Sequence, residues 1–384
     1  MGRQQPLVVW FKNPHEHSAH YLKFGLMKLA RQGSIHLKEQ AVSKAGSWLP
    51  KHLQERHYRR LVLLAVEWQG QRRLVAVDGE DSPFQLSDVI TQVDRYYTCT
   101  YCPHLYQERQ FNLALPWQDE SEIRPYREKF ERLVACHGEQ FSKVKPWAPI
   151  GPELEAPLPG QTWLQRKAGN ARHKIQMRLN GTHDWRAQYE RFSERWSFVH
   201  SLRTSPVTAD VVLLDSLWGW PRHRIALHQE LANLAKRGYS IRSKLNYRKP
   251  EAYELGNHPA PSPSDYPMQV GEPIQGDYER LLAATRIGIF ATGFHYGWRN
   301  IVTLAWAMGL KTLQDPFTYR FLFDASPFYQ TLATGSWSEI DYALNQAREE
   351  PAMERQKRCQ LFDQIASPER IAHQVVEEIM GELF

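Results

Sequence analysis

The chain has little cysteine: four residues, Cys99, Cys102, Cys136 and Cys359, among 384. They are too few and too scattered for a disulfide framework in a chain of this length, which predicts a reducing compartment. Cys99 and Cys102 have the spacing of half a zinc site, but no second Cys or His pair stands at a suitable distance. No metal site is therefore predicted.

Long apolar runs are also missing. No segment reaches the roughly 18 consecutive apolar residues that a membrane-spanning helix needs, so no transmembrane segment is expected. Residues 1–11, MGRQQPLVVWF, lack the apolar run and the small-residue cleavage site of a signal peptide, which favours a cytoplasmic protein. The sequence contains no Walker loop, no Gly-x-Ser-x-Gly elbow and no Gly-x-Gly-x-x-Gly fingerprint.

What the chain has in surplus is positive charge. The formal net charge is +6, and basic residues cluster at His57 to Arg60, Arg166 to Arg178 and Lys236 to Lys249. Such a surplus favours a polyanionic partner, which leaves nucleotide phosphates, nucleic acid or peripheral contact with an anionic membrane open. Each cluster is also compatible with an ordinary solvated surface.

Apolar runs that predict buried strands alternate with amphipathic helices in both halves of the chain. The strands are predicted at Pro6–Phe11, Ser34–Leu37, Arg60–Trp68 and Arg72–Asp78, and then at Ala209–Leu214, Tyr239–Leu245, Ile287–Ala291 and Lys311–Gln314. This alternation is typical of parallel, doubly wound α/β domains. We therefore expect an α/β protein with two Rossmann-like domains facing across a cleft, and with ligands at the carboxyl ends of the strands.

A proline-rich stretch separates the two halves. Residues 145–160, KPWAPIGPELEAPLPG, hold five prolines, and a polar segment with helical character follows. The predicted organisation is an N-terminal Rossmann-like acceptor domain over 1–160, a helical linker region over 161–204 and a C-terminal Rossmann-like donor domain over 205–384.

The most informative segment is 287–316, IGIFATGFHYGWRNIVTLAWAMGLKTLQDP. It predicts a strand, a turn with Gly293 and Gly297, a helix that begins near Arg299, and a second strand. Glycines let a backbone approach a ligand closely, and the N-H groups at the start of a helix can bind a phosphate. A guanidinium at Arg299 suits a diphosphate. The alternative interpretation is a strand-turn-helix that serves packing alone.

This segment resembles the donor-site signature of GT-B glycosyltransferases, in which a glycine-containing turn leads into a helix ending in Ala-x-Ala-x-Gly. Here that ending is Ala305, Ala307 and Gly309. The resemblance implies a GT-B-like fold, a nucleotide-diphosphate sugar as donor substrate and no cofactor. Many retaining members have two glutamates at positions that hold Tyr296 and Leu304 here, which favours an inverting enzyme. The donor contacts are then expected from His295, Tyr296, Arg299, Asn300 and Thr303.

An acidic turn after a predicted strand, with Asp78, Glu80 and Asp81, is the candidate for the general base that takes the acceptor's proton. Asp78 is the first choice because it directly follows the strand; a solvated acidic turn or a helix cap is the alternative. Positive charge to neutralise the leaving diphosphate is expected from Arg222, Arg224 and Lys244.

These observations favour a glycosyltransferase acting on a surface glycan or glycoconjugate. A DNA glycosyltransferase acting on a hydroxymethylated base is an alternative, because the basic clusters also suit DNA. A non-catalytic protein that binds nucleotides or nucleic acid is a third option, since the paired glutamates are missing.

Overall fold

The computed structural model describes residues 5–158, 167–168 and 185–381. It is a mixed α/β structure, which confirms the predicted fold class at that level. The predicted boundary near 160 and the linker up to 184 lie outside the described residues except for 167–168. Among the described helices, none combines the length and the apolar character that crossing a membrane requires.

The first half contains one six-stranded sheet. Its elements are β1 (Leu7–Lys12), α1 (His20–Arg31), β2 (His36–Ala41), α2 (Lys51–Gln54), β3 (Leu61–Trp68), β4 (Gln71–Asp78), β5 (Arg95–Thr98), α3 (Pro103–Tyr106), α4 (Glu120–His137) and β6 (Val144–Pro146). The strand order is β2-β1-β3-β4-β5-β6. The prediction of an all-parallel sheet is wrong here, because β3 runs antiparallel to both β1 and β4.

A tight turn explains this difference. Strands β3 and β4 are joined by Gln69 and Gly70, which both have positive φ, 50° and 78°. Two-residue turns with positive φ match the twist of antiparallel strands, whereas a parallel connection needs a crossover of a dozen residues or more. The two apolar runs therefore form a hairpin.

The second half contains two small sheets that lie side by side. Its elements are α5 (Arg186–Ser201), β7 (Val211–Ser216), α6 (Pro221–Lys236), β8 (Ile241–Asn246), α7 (Ala252–Leu255), β9 (Gln269–Val270), α8 (Tyr278–Ala283), β10 (Gly288–Phe290), α9 (Asn300–Ala307), β11 (Thr312–Gln314), β12 (Tyr329–Thr331), α10 (Ile340–Glu349), α11 (Ala352–Ile365) and α12 (Pro368–Gly381).

The order of these strands reverses between β7 and β10. One sheet is β7-β8-β9 and the other is β10-β11-β12. A parallel bridge between Ala209 and Thr285 and a hydrogen bond from Ile287 N to Asp210 O (3.4 Å) bring β7 beside β10. The chain thus builds outward from β7 to β8 and then returns to β10 on the other side. Open α/β sheets bind ligands outside the carboxyl ends of their strands at such a reversal.

A shared core joins the two halves. Tyr97 and Trp147 of the first half belong to the same buried cluster as Trp298 and Trp306 of the second. The last helix, α12, returns to pack against α1, and the Tyr21 hydroxyl donates to Ala366 O (2.7 Å). The crevice beside β10 and β11 therefore has the first half as its opposite wall.

Candidate functional site

A cavity lies at the carboxyl ends of β10 and β11. It has a volume of about 120 Å³. The second half contributes residues 290–293, 296–299, 302 and 314–319 to its lining, and the first half contributes residues 112–115. Gly293, Tyr296, Gly297 and Arg299, which were predicted to contact the donor, thus line one depression at the ends of β10 and β11.

A buried carboxylate at the end of β7 holds two arginines. Asp215 forms ion pairs with Arg224 and with Arg299, whose Nη2 lies 3.0 Å from Asp215 Oδ1. Burial alone would raise the pKa of Asp215, but the charges of Arg224 and Arg299 lower it. Two cations share one anion, and the half-buried Arg299 lines the cavity. The cavity wall thus contains the Arg299 guanidinium together with a second buried carboxylate, Asp315.

The guanidinium of Arg224 forms its hydrogen bonds with other groups of the protein. It is buried, and it donates to Gly219 O (2.8 Å) and Thr292 O (2.8 Å) in addition to Asp215. It does not line the cavity. Its role in this structure is to fix the loop after β10 and to support Asp215, rather than to face a ligand directly.

A second buried carboxylate, at the end of β11, ties the same loop to the first half. Asp315 accepts hydrogen bonds from His223 Nε2 (2.8 Å), Trp117 Nε1 (3.0 Å) and Thr292 N (2.7 Å). Burial would raise the pKa of Asp315, but its hydrogen bond and charge interaction with His223 lower it. Trp117 stacks on the His223 ring with centroids 4.0 Å apart. This network joins the loop after β10 and the end of β11 to Trp117 of the first half.

The turn glycines are required by the protein's own backbone. A Cβ at Gly293 would lie 2.3 Å from Gly297 O, and one at Gly297 would lie 2.7 Å from Phe294 O. Trp298 N donates to Asp81 O (2.9 Å). The glycine turn therefore folds on itself and bonds to the acidic turn of the first half, which brings the two predicted segments together through their main chains.

His295 and Tyr296 sit in this turn with left-handed backbones, at φ 55° and 59°. Such conformations cost on the order of 1–3 kcal/mol each for residues with side chains and are concentrated at functional sites. The His295 ring contacts the Tyr126 hydroxyl (3.0 Å) and Lys129 Nζ (3.2 Å). Burial and the charge of Lys129 lower the pKa of His295 to about 4, so the ring is neutral at pH 7.

The other two residues predicted to contact the donor, Asn300 and Thr303, lie in α9 and differ in their exposure. Asn300 is exposed in the first turn, whereas Thr303 is buried and accepts from Trp298 Nε1 (3.0 Å). Arg299 occupies the N-cap position without a side-chain hydrogen bond to the helix. Arg299 directly precedes the first N-H groups of α9, and the N-H groups at a helix start can bind an anion.

Two predicted cations lie elsewhere. Arg222 Nη2 donates to Glu122 Oε2 (2.6 Å) and to Trp117 O (3.1 Å), so it bridges the two halves. Lys244 is exposed on β8 and does not line the cavity. Of the basic cluster at Arg166 to Arg178, only 167–168 are described.

The acidic turn contains one fully buried carboxyl, Asp78, and two carboxylates that pair with arginines. Asp78 is 2% exposed and accepts from Glu80 N (2.8 Å) and from the Tyr96 hydroxyl. Burial raises the pKa of Asp78 to about 7. Glu80 pairs with Arg59 (3.2 Å), and Asp81 pairs with Arg60 (3.3 Å). Asp78 and Glu80 line a separate depression of about 200 Å³, and none of the three lines the cavity beside Arg299.

Sequence reasoning missed Asp215, Gln314 and Asp315. A signal was present, because each of these polar residues ends or directly follows a predicted strand of the second half. Gln314 is 6% exposed and lines the cavity, and its side-chain nitrogen has no hydrogen-bond partner among the described residues.

One acidic cluster has an explanation that needs no metal. Ligand atoms of Asp119, Glu122 and His258 lie within 4.8 Å of one another. Asp119 and Glu122 form the capping box of α4, however, and Arg222 pairs with Glu122. Helix capping and charge pairing account for this arrangement.

No known family model matches the chain, and no curated protein sequence matches it significantly.

Proposed function

We propose that the protein is a glycosyltransferase that moves a sugar from a nucleotide-diphosphate donor to a hydroxyl acceptor. In this proposal the two halves act as the facing domains of a GT-B-like enzyme, and the donor binds in the second half. The observation that carries the proposal is the placement of Arg299. Its guanidinium is fixed by buried Asp215 at the reversal of strand order, beside the start of α9 and on the wall of a cavity.

Electrostatics supports diphosphate binding at this point. Arg224 and Arg299 together have one more positive charge than Asp215 neutralises. The Asp315 carboxylate in the cavity wall opposes an anion, but it accepts hydrogen bonds from His223, Trp117 and Thr292, and the N-H groups of α9 add their dipole. Because Asp215 already holds Arg299 in place, little side-chain freedom is lost when an anion binds. A fixed cation at the diphosphate also stabilises the negative charge that develops on the leaving nucleoside diphosphate as its bond to the sugar breaks.

The cavity holds only part of such a donor. Its volume of about 120 Å³ lies below the roughly 300–1,000 Å³ of sites that enclose a whole small ligand. In the proposal, the rest of the donor extends along the crevice between the halves, where the acceptor also binds.

One group of the first half that can take the acceptor's proton near neutral pH is Asp78. Burial brings the pKa of Asp78 to about 7, and its carboxyl lies at the wall of the depression of about 200 Å³. We propose Asp78 as the base, with the acceptor hydroxyl entering this depression.

The acceptor in this proposal is a hydroxyl of a glycan or glycoconjugate. A DNA acceptor would bind through phosphate contacts, so its affinity would fall steeply with salt. Measuring affinity for hydroxymethylated DNA at two salt concentrations distinguishes these acceptor classes.

Replacing Arg299 tests the donor site. In a thermal-shift screen against nucleoside diphosphates and their sugars, we expect at least one to raise the melting temperature, because it binds only the native state. Arg299→Ala should weaken that ligand by about 10- to 100-fold, since charge-assisted hydrogen bonds to phosphate are lost. Buried Asp215 keeps Arg224 as its partner in this variant, so the fold should survive.

Arg280→Ala is the matched control. Arg280 is a surface arginine, 61% exposed, that pairs with Asp277 in the first turn of α8. Its loss should leave nucleotide affinity unchanged. Equal affinity in the Arg299→Ala variant and the unaltered protein, or no shift with any nucleotide, would contradict the proposed donor site.

A further inference from the structure

Two exposed aromatic side chains lie together at the carboxyl ends of β7 and β8. Trp218 is the one exposed tryptophan among the described residues, at 48%, and Tyr247 is 41% exposed. The two strands are in register at their last residues, Ser216 and Asn246, so both aromatic residues follow at the same edge of the sheet. Exposed apolar side chains that lie together, rather than singly, mark binding surfaces.

A guanidinium stacks on the exposed indole. Arg248 Cζ lies 4.0 Å from the centroid of the Trp218 ring. Nη1 of Arg248 has no hydrogen-bond partner among the described residues, so this side chain has a donor that the protein does not use. A ligand that supplies an acceptor gains affinity there. An exposed aromatic ring beside a cation is the kind of surface on which nucleobases stack.

The loop that presents Trp218 is fixed by bonds that do not involve the Trp218 side chain. Trp220 Nε1 donates to Gly293 O (3.1 Å), and Arg224 Nε donates to Gly219 O (2.8 Å). The backbone at Trp218 is therefore held in place before a ligand arrives. Less conformational freedom is then lost on binding, which favours affinity.

The exposed indole is close to Arg299 along two paths. Asp215, which pairs with Arg299, precedes Trp218 by three residues, so the Cα atoms of Asp215 and Trp218 are at most about 11 Å apart. The ring centroids of Phe294 and Trp218 are 6.0 Å apart, and a Cβ on the neighbouring Gly293 would lie 3.4 Å from Arg299 Cγ. A ribose and a diphosphate bridge a gap of this size.

We infer that the nucleobase of the donor stacks on Trp218, beside Arg248 and outside the cavity. The inference rests on the proposed function, because it takes the diphosphate to lie at Arg299. Stacking uses the flat face that every base has, so this surface accepts purines and pyrimidines alike. Arg248 adds its charge and a hydrogen-bond donor for the edge of the base.

Calorimetric titration with UDP, ADP, GDP, inorganic pyrophosphate and a single-stranded thymidine oligonucleotide tests the inference. In Trp218→Ala we expect the nucleoside diphosphates that bind to do so about 5- to 100-fold more weakly, because one stacking ring is lost. Pyrophosphate has no base, so its affinity should stay unchanged. Trp218→Phe keeps a flat ring and should retain most of the nucleotide affinity. Both variants should fold, since other side chains fix the loop.

Tyr342→Ala serves as the matched control. Tyr342 is an aromatic residue of α10 that is 69% exposed, and its loss should leave every affinity unchanged. Unchanged nucleotide affinity in Trp218→Ala, or an equal loss of nucleotides and pyrophosphate, would overturn the stacking site while the donor site at Arg299 stands. A loss confined to the oligonucleotide would overturn it as well, because the indole would then serve a nucleic acid. Binding of no nucleoside diphosphate would overturn both proposals.

Discussion

At the scale of single residues, burial decides the chemistry of Asp78. Its carboxyl lies inside the end of β4, and burial raises its pKa from an ordinary value of 3.8 to about 7. Between about pH 4 and pH 7 the native carboxyl thus retains a proton that the unfolded chain releases. The free energy of unfolding must therefore fall as the pH rises through this window.

Asp78→Asn removes this titration. In urea denaturation at each pH, we measure the free energy of unfolding of the variant and of the unaltered protein. We expect the variant's value minus the unaltered protein's value to increase steadily from pH 4 to pH 7. Asp88→Asn is the control: Asp88 is exposed, and its hydrogen bond to Arg56 lowers its pKa, so its titration lies below this window. Parallel pH profiles for Asp78→Asn and the unaltered protein would contradict the assignment.

The sequence predicted some site residues and could not predict others. Arg299 was predicted because a helix start after a glycine turn is a local pattern. Asp215 and Asp315 each follow a predicted strand, but the sequence does not show which side chains they bind; Trp117, which donates to Asp315, lies 198 residues away along the chain. Such long-range contacts leave no local signature.

At the scale of secondary-structure elements, the crossing of α1 and α12 depends on one glycine. A Cβ at Gly25 would lie 1.8 Å from Pro368 O and 2.7 Å from the Ala372 side chain. The two helices could accept it only by moving apart.

Gly25→Ala should therefore destabilise the protein by about 3 kcal/mol or more, as overpacking against a backbone does. Gly381→Ala is the matched control, since a Cβ there meets nothing within 4 Å and the residue ends α12, the helix that packs against α1. Its stability should change by less than about 1 kcal/mol. Thermal denaturation compares the two variants, and equal melting temperatures would show that the helices do not meet at Gly25.

Prediction of elements worked best for long apolar segments. The strand predicted at Arg60–Trp68 spans Leu61–Trp68. The short strands β5, Arg95–Thr98, and β6, Val144–Pro146, were missed, because three or four residues are too few to show a period of two. They form only by pairing beside β4.

At the scale of the whole molecule, the two halves share a core. The largest buried cluster contains Val8 and Leu22 of the first half together with Trp306 and Phe362 of the second. Neither half can unfold without exposing apolar surface of the other.

We therefore expect one unfolding transition in urea. Tryptophan fluorescence and far-ultraviolet circular dichroism should give coincident curves, as a single cooperative unit does. The Gly25→Ala variant should shift both curves together. Two separated transitions would mean that the halves fold independently.

The most direct test of the proposed function is release of nucleoside diphosphate from the nucleotide sugars that stabilise the protein. We predict slow release without acceptor, faster release with a glycan acceptor, and at least about tenfold slower release at sub-saturating donor when Arg299 is replaced by Ala. Release from no nucleotide sugar with any hydroxyl acceptor, or an unchanged rate in Arg299→Ala, would contradict glycosyl transfer at this site.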